Sequence, residues 1–476
     1  MPTNSALLID FGSTYTKLRA IDLDRRRVLG SGQGPSTVTT DILIGMNAAL
    51  ADLERRLGAL PEFRYRLASS SAAGGLRMVT VGLVRELTAE AARRAALGAG
   101  ARLVGTFAYR LTQGDVANIV ACAPDIVLLA GGTDGGNREV ILHNARALGA
   151  VDTAALACPI VYAGNRDAAD DALAALAQHD VIRCANVMPE FNVLDIEPAR
   201  AVLRQVFIDR IVHAKGIDRA HDAFDRVLMP TPAAVLEGAR LIADGVDGKG
   251  GLGPLLVVDP GGATTDVHSI ADGNPSSEGV IPQGLPEPRV KRTVEGDLGM
   301  RHNAATIVET EGVDAIAAAA GVPPSRVVPL LAAIARDVER LPQTPEEIDF
   351  DQALVRAAVR QAVIRHCGTV STVYTTTGPA TVQHGKDLSG VGTVIGTGVA
   401  LVHSPDPRAA LAECLASSAL PQSLRPRRPR LLLDREYLLY ACGLLGSVEP
   451  QAALELALAH LDPVTNEAHH ERTRSA

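Results

Sequence analysis

The sequence predicts an α/β protein organised in two halves, and three observations support this prediction. Short apolar segments typical of buried strands alternate with Ala-rich helical segments, which indicates parallel sheets with crossover helices. The chain has 476 residues and is 47% hydrophobic, which is enough for two to three domains. A turn with the same pattern of strand, acid, glycine and hydroxyl residues occurs at residues 7–17 and again at 255–270. Two such turns imply two halves that face one ligand.

The first turn follows a buried strand at residues 6–9. The positions that follow supply an acid, a glycine, two hydroxyl groups and a lysine, namely Asp10, Gly12, Ser13, Thr14 and Lys17. Glycine lets the backbone approach a polyphosphate, hydroxyl and amide groups donate hydrogen bonds, lysine supplies charge, and the acid can hold a hydrated Mg²⁺. This pattern predicts a phosphate loop. A plain hairpin turn between two edge strands is the alternative.

The rest of the first half continues the α/β alternation. Residues 18–22 and 27–31 predict an antiparallel meander with the first strand, and Thr40 or Asp41 can cap a helix at 42–57. The next segments predict strands at 64–69, 102–109, 125–130, 159–163 and 181–187, and helices at 87–97, 113–121, 139–148, 167–178, 197–213 and 231–242, the last capped by Thr231.

Two loops in this half are rich in small residues. The loop GGTDGGN at residues 131–137 lies directly before a helix and is a candidate anion site, although an ordinary loop explains its glycines equally well. Residues 69–79 either contact a ligand or partner or form a tight connection between strands, and the connection is the favoured interpretation.

A glycine-rich linker at residues 245–254 leads into the second turn. We therefore predict that residues 1–250 form the first half with inserted helices, and that residues 251–476 form the second half with C-terminal helices. The second turn again follows an apolar strand and contains two acids, two glycines and two threonines, namely Asp259, Gly261, Gly262, Thr264, Thr265 and Asp266.

Two charged segments and a third glycine motif follow. Glu295 and Asp297 could position a water or a metal, or form salt bridges with the flanking Arg292 and Arg301. The basic run RPRRPR at 425–430, before the closing helices, is either a solvated connection or a phosphate-binding patch, and the connection is the favoured interpretation. In residues 391–402 a buried strand runs into a Gly-Thr-Gly sequence and then a second strand or a helix start; the three residues are Gly396, Thr397 and Gly398.

Composition limits the possible functions. The net charge of −8 argues against a nucleic-acid-binding protein, which needs a broad basic face. The six cysteines show neither CxxC pairs nor zinc spacing and predict free thiols in a reducing compartment. No apolar run reaches the roughly 18 residues that span a bilayer, and no signal peptide is apparent. We therefore predict a cytoplasmic protein with no nucleic-acid or membrane partner.

The two turns resemble the phosphate-1 and phosphate-2 motifs of the actin, Hsp70 and sugar kinase superfamily of ATPases, and residues 391–402 resemble its adenosine motif. The resemblance implies two actin-like (ribonuclease H-like) α/β domains that close on Mg-ATP in a nucleotide cleft. It also implies that Asp10 and Asp259 hold Mg²⁺ through water, and that Asp259 or Asp266 orients the attacking water. The implied nucleotide-binding residues are Gly12, Ser13, Thr14, Lys17, Gly261, Gly262, Thr264, Thr265, Gly396, Thr397 and Gly398.

Further stretches over nearly the whole chain resemble the MutL/GlmL family of glutamate mutase accessory proteins, which is not the mismatch-repair protein of similar name. These stretches are SSSAAGGLRMV, LTAEAARRAALGAGA, VLLAGGTDGGN, RTVEGDLGMR and VIGTG. Val399 departs from the family pattern, which more often has another glycine there. The resemblance implies an ATPase that assists adenosylcobalamin-dependent carbon-skeleton mutases, such as methylaspartate mutase, as a reactivating chaperone.

The first functional hypothesis is therefore an ATP-driven reactivation or assembly factor whose partner is an adenosylcobalamin-dependent mutase subunit. Such a factor is expected to be a slow ATPase, because its output is the opening or closing of a cleft. A small-molecule kinase acting on a sugar or an acid is the main alternative. A filament-forming or scaffold protein of the same superfamily is another.

Overall fold

The computed structural model describes residues 4–12, 15–37, 41–70, 77–214, 226–338, 340–376 and 378–464. The chain divides into two compact units. The first consists of Met1–Gly238, Gly284–Pro286 and Tyr440–Leu456, and the second of Ala239–Gln283, Glu287–Leu439 and Ala457–Ala476.

The elements before the second turn alternate between strands and helices as predicted, and two further strands, Arg77–Gly82 and Arg226–Pro230, occur that the pattern does not predict. The strands are β1 Ser5–Phe11, β2 Tyr15–Asp22, β3 Arg27–Pro35, β4 Tyr65–Ser70, β5 Arg77–Gly82, β6 Arg102–Ala108, β7 Ile126–Leu129, β8 Ile160–Tyr162, β9 Val181–Arg183 and β10 Arg226–Pro230. The helices are α1 Ile42–Leu57, α2 Glu90–Gly98, α3 Gln113–Ala121, α4 Glu139–Gly149, α5 Ala169–Ala175, α6 Glu197–Ala214 and α7 Thr231–Asp244.

The remaining elements begin at the predicted linker. The strands are β11 Gly245–Val246, β12 Lys249–Gly250, β13 Leu255–Pro260, β14 Thr265–Ile270, β15 Val280–Gln283, β16 Val290–Glu295, β17 Thr369–Thr375, β18 Gly378–His384, β19 Thr393–Gly396, β20 Arg430–Asp434 and β21 Leu461–Pro463. The helices are α8 Ala304–Glu311, α9 Val313–Ala320, α10 Pro324–Arg336, α11 Pro345–His366, α12 Val399–Val402, α13 Pro407–Ala412, α14 Leu439–Leu445 and α15 Pro450–Ala459.

A mixed sheet in the first unit carries the first turn. Its strand order is β10-β4-β1-β2-β3. Strands β1, β2 and β3 form the predicted antiparallel meander, whereas β4 runs parallel to β1 and β10 parallel to β4. The side chain of Asp41 accepts a hydrogen bond from the backbone N–H of Leu43, so Asp41 caps α1 as one of the two predicted candidates.

A second sheet in the same unit, with the order β6-β5-β7-β8-β9, is entirely parallel. It confirms the predicted crossover connections. Parallel strands are normally buried on both faces, and this sheet follows the rule. One face packs into the core that also covers the mixed sheet, through Met78, Ile126, Leu128 and Val161. The other face packs on a separate core with Val79, Val127, Leu129 and Ile160.

The main sheet of the second unit repeats the arrangement of the first. Its order is β16-β14-β13-β19-β20-β21. Strands β13, β14 and β16 form an antiparallel meander, while β19 is parallel to β13 and β20 to β19. The α/β fold class with two related sheets is therefore confirmed. The sequence shows the duplication only at the turns, because other strand positions need only be apolar.

The basic run at 425–430 is solvated only in part. Arg427, Arg428 and Arg430 are exposed, as predicted, whereas Arg425 is buried and donates a hydrogen bond to the backbone oxygen of Glu413. The chain then forms β20, a strand that the pattern did not predict. The closing helix begins at Leu439 because the carboxylate of Asp434 accepts the backbone N–H groups of Leu438 and Leu439.

Among the described residues, no single helix is both long and apolar enough to cross a bilayer. One bent pair, Val313–Ala320 with Pro324–Arg336 at 89°, meets the length and composition criteria only when its two helices are taken together.

Candidate functional site

The first turn is the tip of the hairpin formed by β1 and β2. The backbone N–H of Gly12 donates to the oxygen of Tyr15 at 3.0 Å. A β-carbon at Gly12 would lie 2.6 Å from that oxygen, so the closure requires glycine. Neither strand is an edge strand, because β1 lies between β4 and β2, and β2 between β1 and β3. The alternative of a turn between edge strands is thus wrong. Ser13 and Thr14 lie outside the described residues.

Asp10 is the buried acid of this turn, only 2% exposed. It faces Lys17 across the hairpin. Its Oδ1 accepts a hydrogen bond from Oγ1 of Thr231 at 2.6 Å, and that hydroxyl lies 3.2 Å from Oγ of Ser69. Burial raises the pKa of Asp10, while the charge of Lys17 and the hydrogen bond from Thr231 act in the opposite direction. The carboxylate is therefore surrounded by groups from two neighbouring strands and one helix start.

The second turn has the same geometry. The backbone N–H of Gly261 donates to the oxygen of Thr264 at 2.8 Å, as Gly12 does to Tyr15. In the β13–β14 register Asp259 faces Asp266, at the positions that Asp10 and Lys17 occupy in the first hairpin. The two hairpins therefore match residue by residue but differ in charge. The first pairs an acid with a base, whereas the second places two acids opposite each other.

A buried arginine compensates the charge of Asp266, one of the two facing acids in the second hairpin. Arg292 on β16, with a side chain 4% exposed, places Nε and Nη2 at 2.8 and 2.6 Å from Oδ1 of Asp266. Oγ1 of Thr264 donates to Oδ2 of the same carboxylate at 3.1 Å. Both oxygens of Asp266 are thus engaged within the protein. Asp259 is half-buried at the end of its strand.

The chain around residues 295–302 braces the second turn. Oγ1 of Thr265 donates to the oxygen of Leu298 at 2.6 Å, and the backbone N–H groups of Met300 and Arg301 donate to the oxygens of Gly261 and Gly262. Thr265 therefore has a structural contact in addition to any ligand contact.

The two acids of this segment form salt bridges, but not with the arginines that flank them in sequence. Glu295 and Asp297 pair with Arg365 at 2.9 and 2.7 Å. The flanking arginines pair elsewhere, Arg292 with Asp266 and Arg301 with Asp351. The ion-pair alternative thus describes this segment better than a metal or water site.

The glycine motif at 396–398 meets the second turn at Asp259. The backbone N–H of Thr397 donates to the oxygen of Val258 at 3.0 Å, and its hydroxyl donates to the buried carboxylate of Asp434 at 2.9 Å. Gly398 has a φ of +89° and lies against Asp259, so that a side chain there would collide with Oδ1. Val399 then begins the short helix α12. The structure therefore brings the second and third predicted motifs together within one unit.

The loop GGTDGGN at 131–137 lies elsewhere, after β7 in the parallel sheet of the first unit. Its conformation is fixed from within the protein. Asp134 accepts hydrogen bonds from the backbone N–H of Arg166 at 2.8 Å and from Nδ2 of Asn186 at 3.0 Å. The buried Asn165 donates to the oxygens of Gly136 and Asn137. An ordinary loop accounts for these contacts.

Two residues missed in the sequence, Thr231 and Arg292, complete the acidic turns. The sequence indicates Thr231 only as a helix cap and Arg292 only as a neighbour of Glu295. Their partners are 221 and 26 residues away. No local spacing signals such pairs. Among the described residues, no group of three or more His, Cys, Asp or Glu side chains could enclose a metal ion.

A buried histidine pair next to the second turn predicts acid sensitivity. Nδ1 of His366 lies 2.8 Å from Oγ1 of Thr293, and its Nε2 lies 2.8 Å from Oγ of Ser269. Burial, assisted by the charges of Lys291 and Lys386, lowers the pKa of His366 well below 6.5. Burial and Arg292 lower the pKa of His268 to about 3.

Both imidazoles bind protons more readily in the unfolded chain than in the folded one. Their full contribution to the free energy of unfolding is therefore present above about pH 6.5 and decreases as the pH falls below that value. Each group contributes a slope of at most about 1.4 kcal/mol per pH unit. Native-state hydrogen exchange of residues 255–295, recorded at several pH values, gives the local opening free energy and therefore this slope. Replacing the exposed His384 by Gln is the control and is expected to leave it unchanged. A stability independent of pH down to about pH 5 contradicts the prediction.

The sequence matches a known family over nearly its full length. A family model described as MutL protein matches residues 6–461. Protein MutL of Clostridium tetanomorphum is 44% identical over 458 residues, which is 96% of this chain and 98% of that protein.

Similar solved structures include one carboxylase and two kinases. Acetone carboxylase in a nucleotide-free state is 14% identical, with 92% of this chain and 69% of that chain covered and a TM-score of 0.40. Xylulose kinase of Bifidobacterium adolescentis is 11% identical (97% and 94% covered, TM-score 0.32). Gluconate kinase of Lactobacillus acidophilus is 11% identical (95% and 88% covered, TM-score 0.34). At these TM-scores the structural likeness is general, and the relationship rests on the sequence matches.

Proposed function

We propose, since this chain belongs to the MutL protein family, that it is an ATP-binding accessory protein that reactivates or assembles an adenosylcobalamin-dependent carbon-skeleton mutase. The observation that carries the nucleotide part is the equivalence of the two hairpins. Each turn has an acid at the same position of its hairpin. Such a pair of turns is expected in a protein whose two halves bind one polyphosphate. The halves in this proposal are residues 1–250 and 251–476.

The residues present fit Mg-ATP. Asp10 and Asp259 are carboxylates at matching strand ends, and a hydrated Mg²⁺ typically needs only one or two such groups. Lys17 adds a positive charge beside Asp10. Gly398 leaves the space beside Asp259 without a side chain. ATP would supply a phosphoanhydride whose hydrolysis can drive a conformational change.

Among the candidate acids we assign the orientation of the attacking water to Asp259. Asp266 is engaged on one oxygen by Arg292 and on the other by Thr264. An acid in this state holds the turn in shape rather than accepting a proton from water. Asp259 lies where the second turn and Gly398 meet. Phosphoryl transfer relies mainly on such positioning and on charge neutralisation.

The backbone groups of the turns complete the proposed nucleotide site. Gly12, Gly261 and Gly262 would present main chain to the phosphates, and Gly396 and Gly398 would lie beside the nucleoside. Ser13 and Thr14 stay predictions for the same role. The six cysteines, all within the described residues, are thiols rather than disulfides, which supports the proposed location in the reducing cytoplasm.

The partner proposal predicts association with a cobalamin-dependent mutase that depends on the nucleotide. The purified chain and the mutase subunits are mixed with ATP and Mg²⁺, with ADP and Mg²⁺, or without nucleotide, and complexes are measured by size-exclusion chromatography with light scattering. We expect complex formation to differ between ATP and ADP, and inactivated mutase to recover activity only with ATP. Asp272→Asn, at an exposed acid, is the control variant and should behave as the wild type.

Two outcomes of this experiment would contradict the partner proposal. One is the absence of a complex in all three nucleotide states. The other is ATP consumption that rises on addition of a sugar or a small carboxylic acid, which would favour the kinase alternative. The metabolite screen is therefore run on the same preparation.

A further inference from the structure

We propose that Thr231 is a positioning residue for the metal-binding acid of the first turn, an inference that rests on the proposed Mg-nucleotide function. Its hydroxyl holds Asp10 in one orientation before ligand arrives. The binding of a hydrated Mg²⁺ by Asp10 then needs no rearrangement of the carboxylate.

The contact is short and enclosed. Oγ1 of Thr231 lies 2.6 Å from Oδ1 of Asp10, and the two residues are 5% and 2% exposed. Ser69, at 3.2 Å from the same Oγ1, is also fully buried at the end of β4. Hydrogen bonds from a hydroxyl to an ionised carboxylate are shorter and stronger than bonds between neutral groups. In this buried environment, bulk water does not compete for the carboxylate at this contact.

The fold explains why this hydroxyl can reach Asp10. Thr231 follows directly after β10 and begins α7, and β10 lies next to β4, which lies next to β1. The parallel strands β1, β4 and β10 end at the same edge of the sheet. Asp10, Ser69 and Thr231 are therefore side by side although they are far apart in sequence. A threonine at a helix start commonly caps that helix, but here the hydroxyl faces the acid.

The second unit uses the corresponding positions differently. There the hydroxyl of Thr397, directly after β19, donates to Asp434, the last residue of β20. The acid of the second turn, Asp259, instead lies against the glycine at 398. The hydroxyl–carboxylate contact observed at these strand ends is therefore made by the turn acid Asp10 in the first unit and by Asp434 in the second.

Matched substitutions separate the positioning role from a structural one. Thr231→Val keeps the shape of the side chain and removes the hydroxyl, whereas Thr231→Ser keeps the hydroxyl. The affinity for a fluorescent ATP analogue is measured with Mg²⁺ and with EDTA in place of metal, and the thermal unfolding of each variant is recorded without ligand.

We expect Thr231→Val to weaken analogue binding in Mg²⁺ by about 10- to 100-fold, the effect of losing a hydrogen bond to a charged group. Binding in EDTA should stay within about twofold of the wild type, because the lost contact acts on the metal ligand. Thr231→Ser should restore the Mg²⁺-dependent affinity.

Three results would overturn the proposal. The first is wild-type affinity of Thr231→Val in Mg²⁺. The second is an equal loss of affinity in Mg²⁺ and in EDTA, which indicates a structural effect on the whole turn. The third is failure of the wild type itself to bind the analogue with Mg²⁺. This result would also contradict the proposed function, and the wild-type measurement separates it from a failure of the positioning role alone.

Discussion

Replacing Asp259 by Asn is expected to lower the rate of ATP hydrolysis by about 10²- to 10³-fold, the typical cost of losing one charge-stabilising group at a reacting centre. Asn has nearly the same shape, so the turn and its contact with Gly398 should persist. The loss of charge removes the group proposed to orient water and hydrated metal. Single-turnover hydrolysis with excess protein measures the rate of the chemical step directly.

Nucleotide affinity completes this experiment. Asp10→Asn and Asp259→Asn should each weaken Mg²⁺-dependent binding of one ATP per chain, because both acids are proposed to serve the same metal. Asp272→Asn, at an exposed acid of the second unit, is the matched control and should not change either quantity. Hydrolysis within about threefold of the wild type in Asp259→Asn would contradict the assignment of this residue.

Replacing Arg292 by Met is expected to be the most destabilising of the changes considered for the second unit. The guanidinium is almost fully buried on Asp266, so its removal leaves a largely buried carboxylate without its counter-charge. Breaking a buried pair from one side typically costs about 3–5 kcal/mol. The chain is large and divided into two units, so one global free energy of unfolding is not well defined. Hydrogen exchange of residues 255–295 reports the local opening free energy instead.

The double variant Arg292→Met with Asp266→Leu provides the decisive comparison. Because it removes both charges, it should be more stable than Arg292→Met alone, with a favourable coupling energy between the two positions. Arg435→Met breaks an exposed pair with Asp462 and serves as the control, for which no measurable change is expected. Equal stability of the single and double variants would show that the ion pair does not determine the fold of this turn.

The sequence predicted the acidic turns because their chemistry constrains residue identity. Glycine at position 12 is required by the close approach of the Tyr15 oxygen, and the acids occur at equivalent strand ends. Such requirements leave a pattern that can be recognised within about ten residues. The long alternation of strands and helices was predicted for a similar reason, since each element has its own period of apolar residues.

The partners of the acids could not be predicted in the same way. The contact between Thr231 and Asp10 exists because three parallel strands end at one edge of a sheet, and nothing in the residues around either position indicates it. The pairing of Arg365 with Glu295 and Asp297 is a similar case, since two nearer arginines are engaged elsewhere. The local spacing of charges thus predicted that Glu295 and Asp297 form ion pairs, but it did not predict that their partner is Arg365.

The strand β20 was missed because its context is misleading. Its first residue, Arg430, is also the last residue of the basic run RPRRPR, in which the charges and prolines suggest a solvated chain. The burial of Arg425 depends on a hydrogen bond to the oxygen of Glu413, a distant contact that compensates the cost of covering a charged side chain.

The shared core of the first unit has a consequence for its cooperativity. The mixed sheet and the parallel sheet contribute side chains to one continuous apolar cluster, which includes Leu7 and Ile9 of β1 together with Ile126 and Leu128 of β7. Local opening of either sheet would expose the apolar surface of the other to water, so the two sheets should melt together as a single foldon. The parallel sheet therefore covers the apolar face of the strands that carry the first hairpin. A homologue without this sheet would need other apolar side chains to cover the strand on which Asp10 lies.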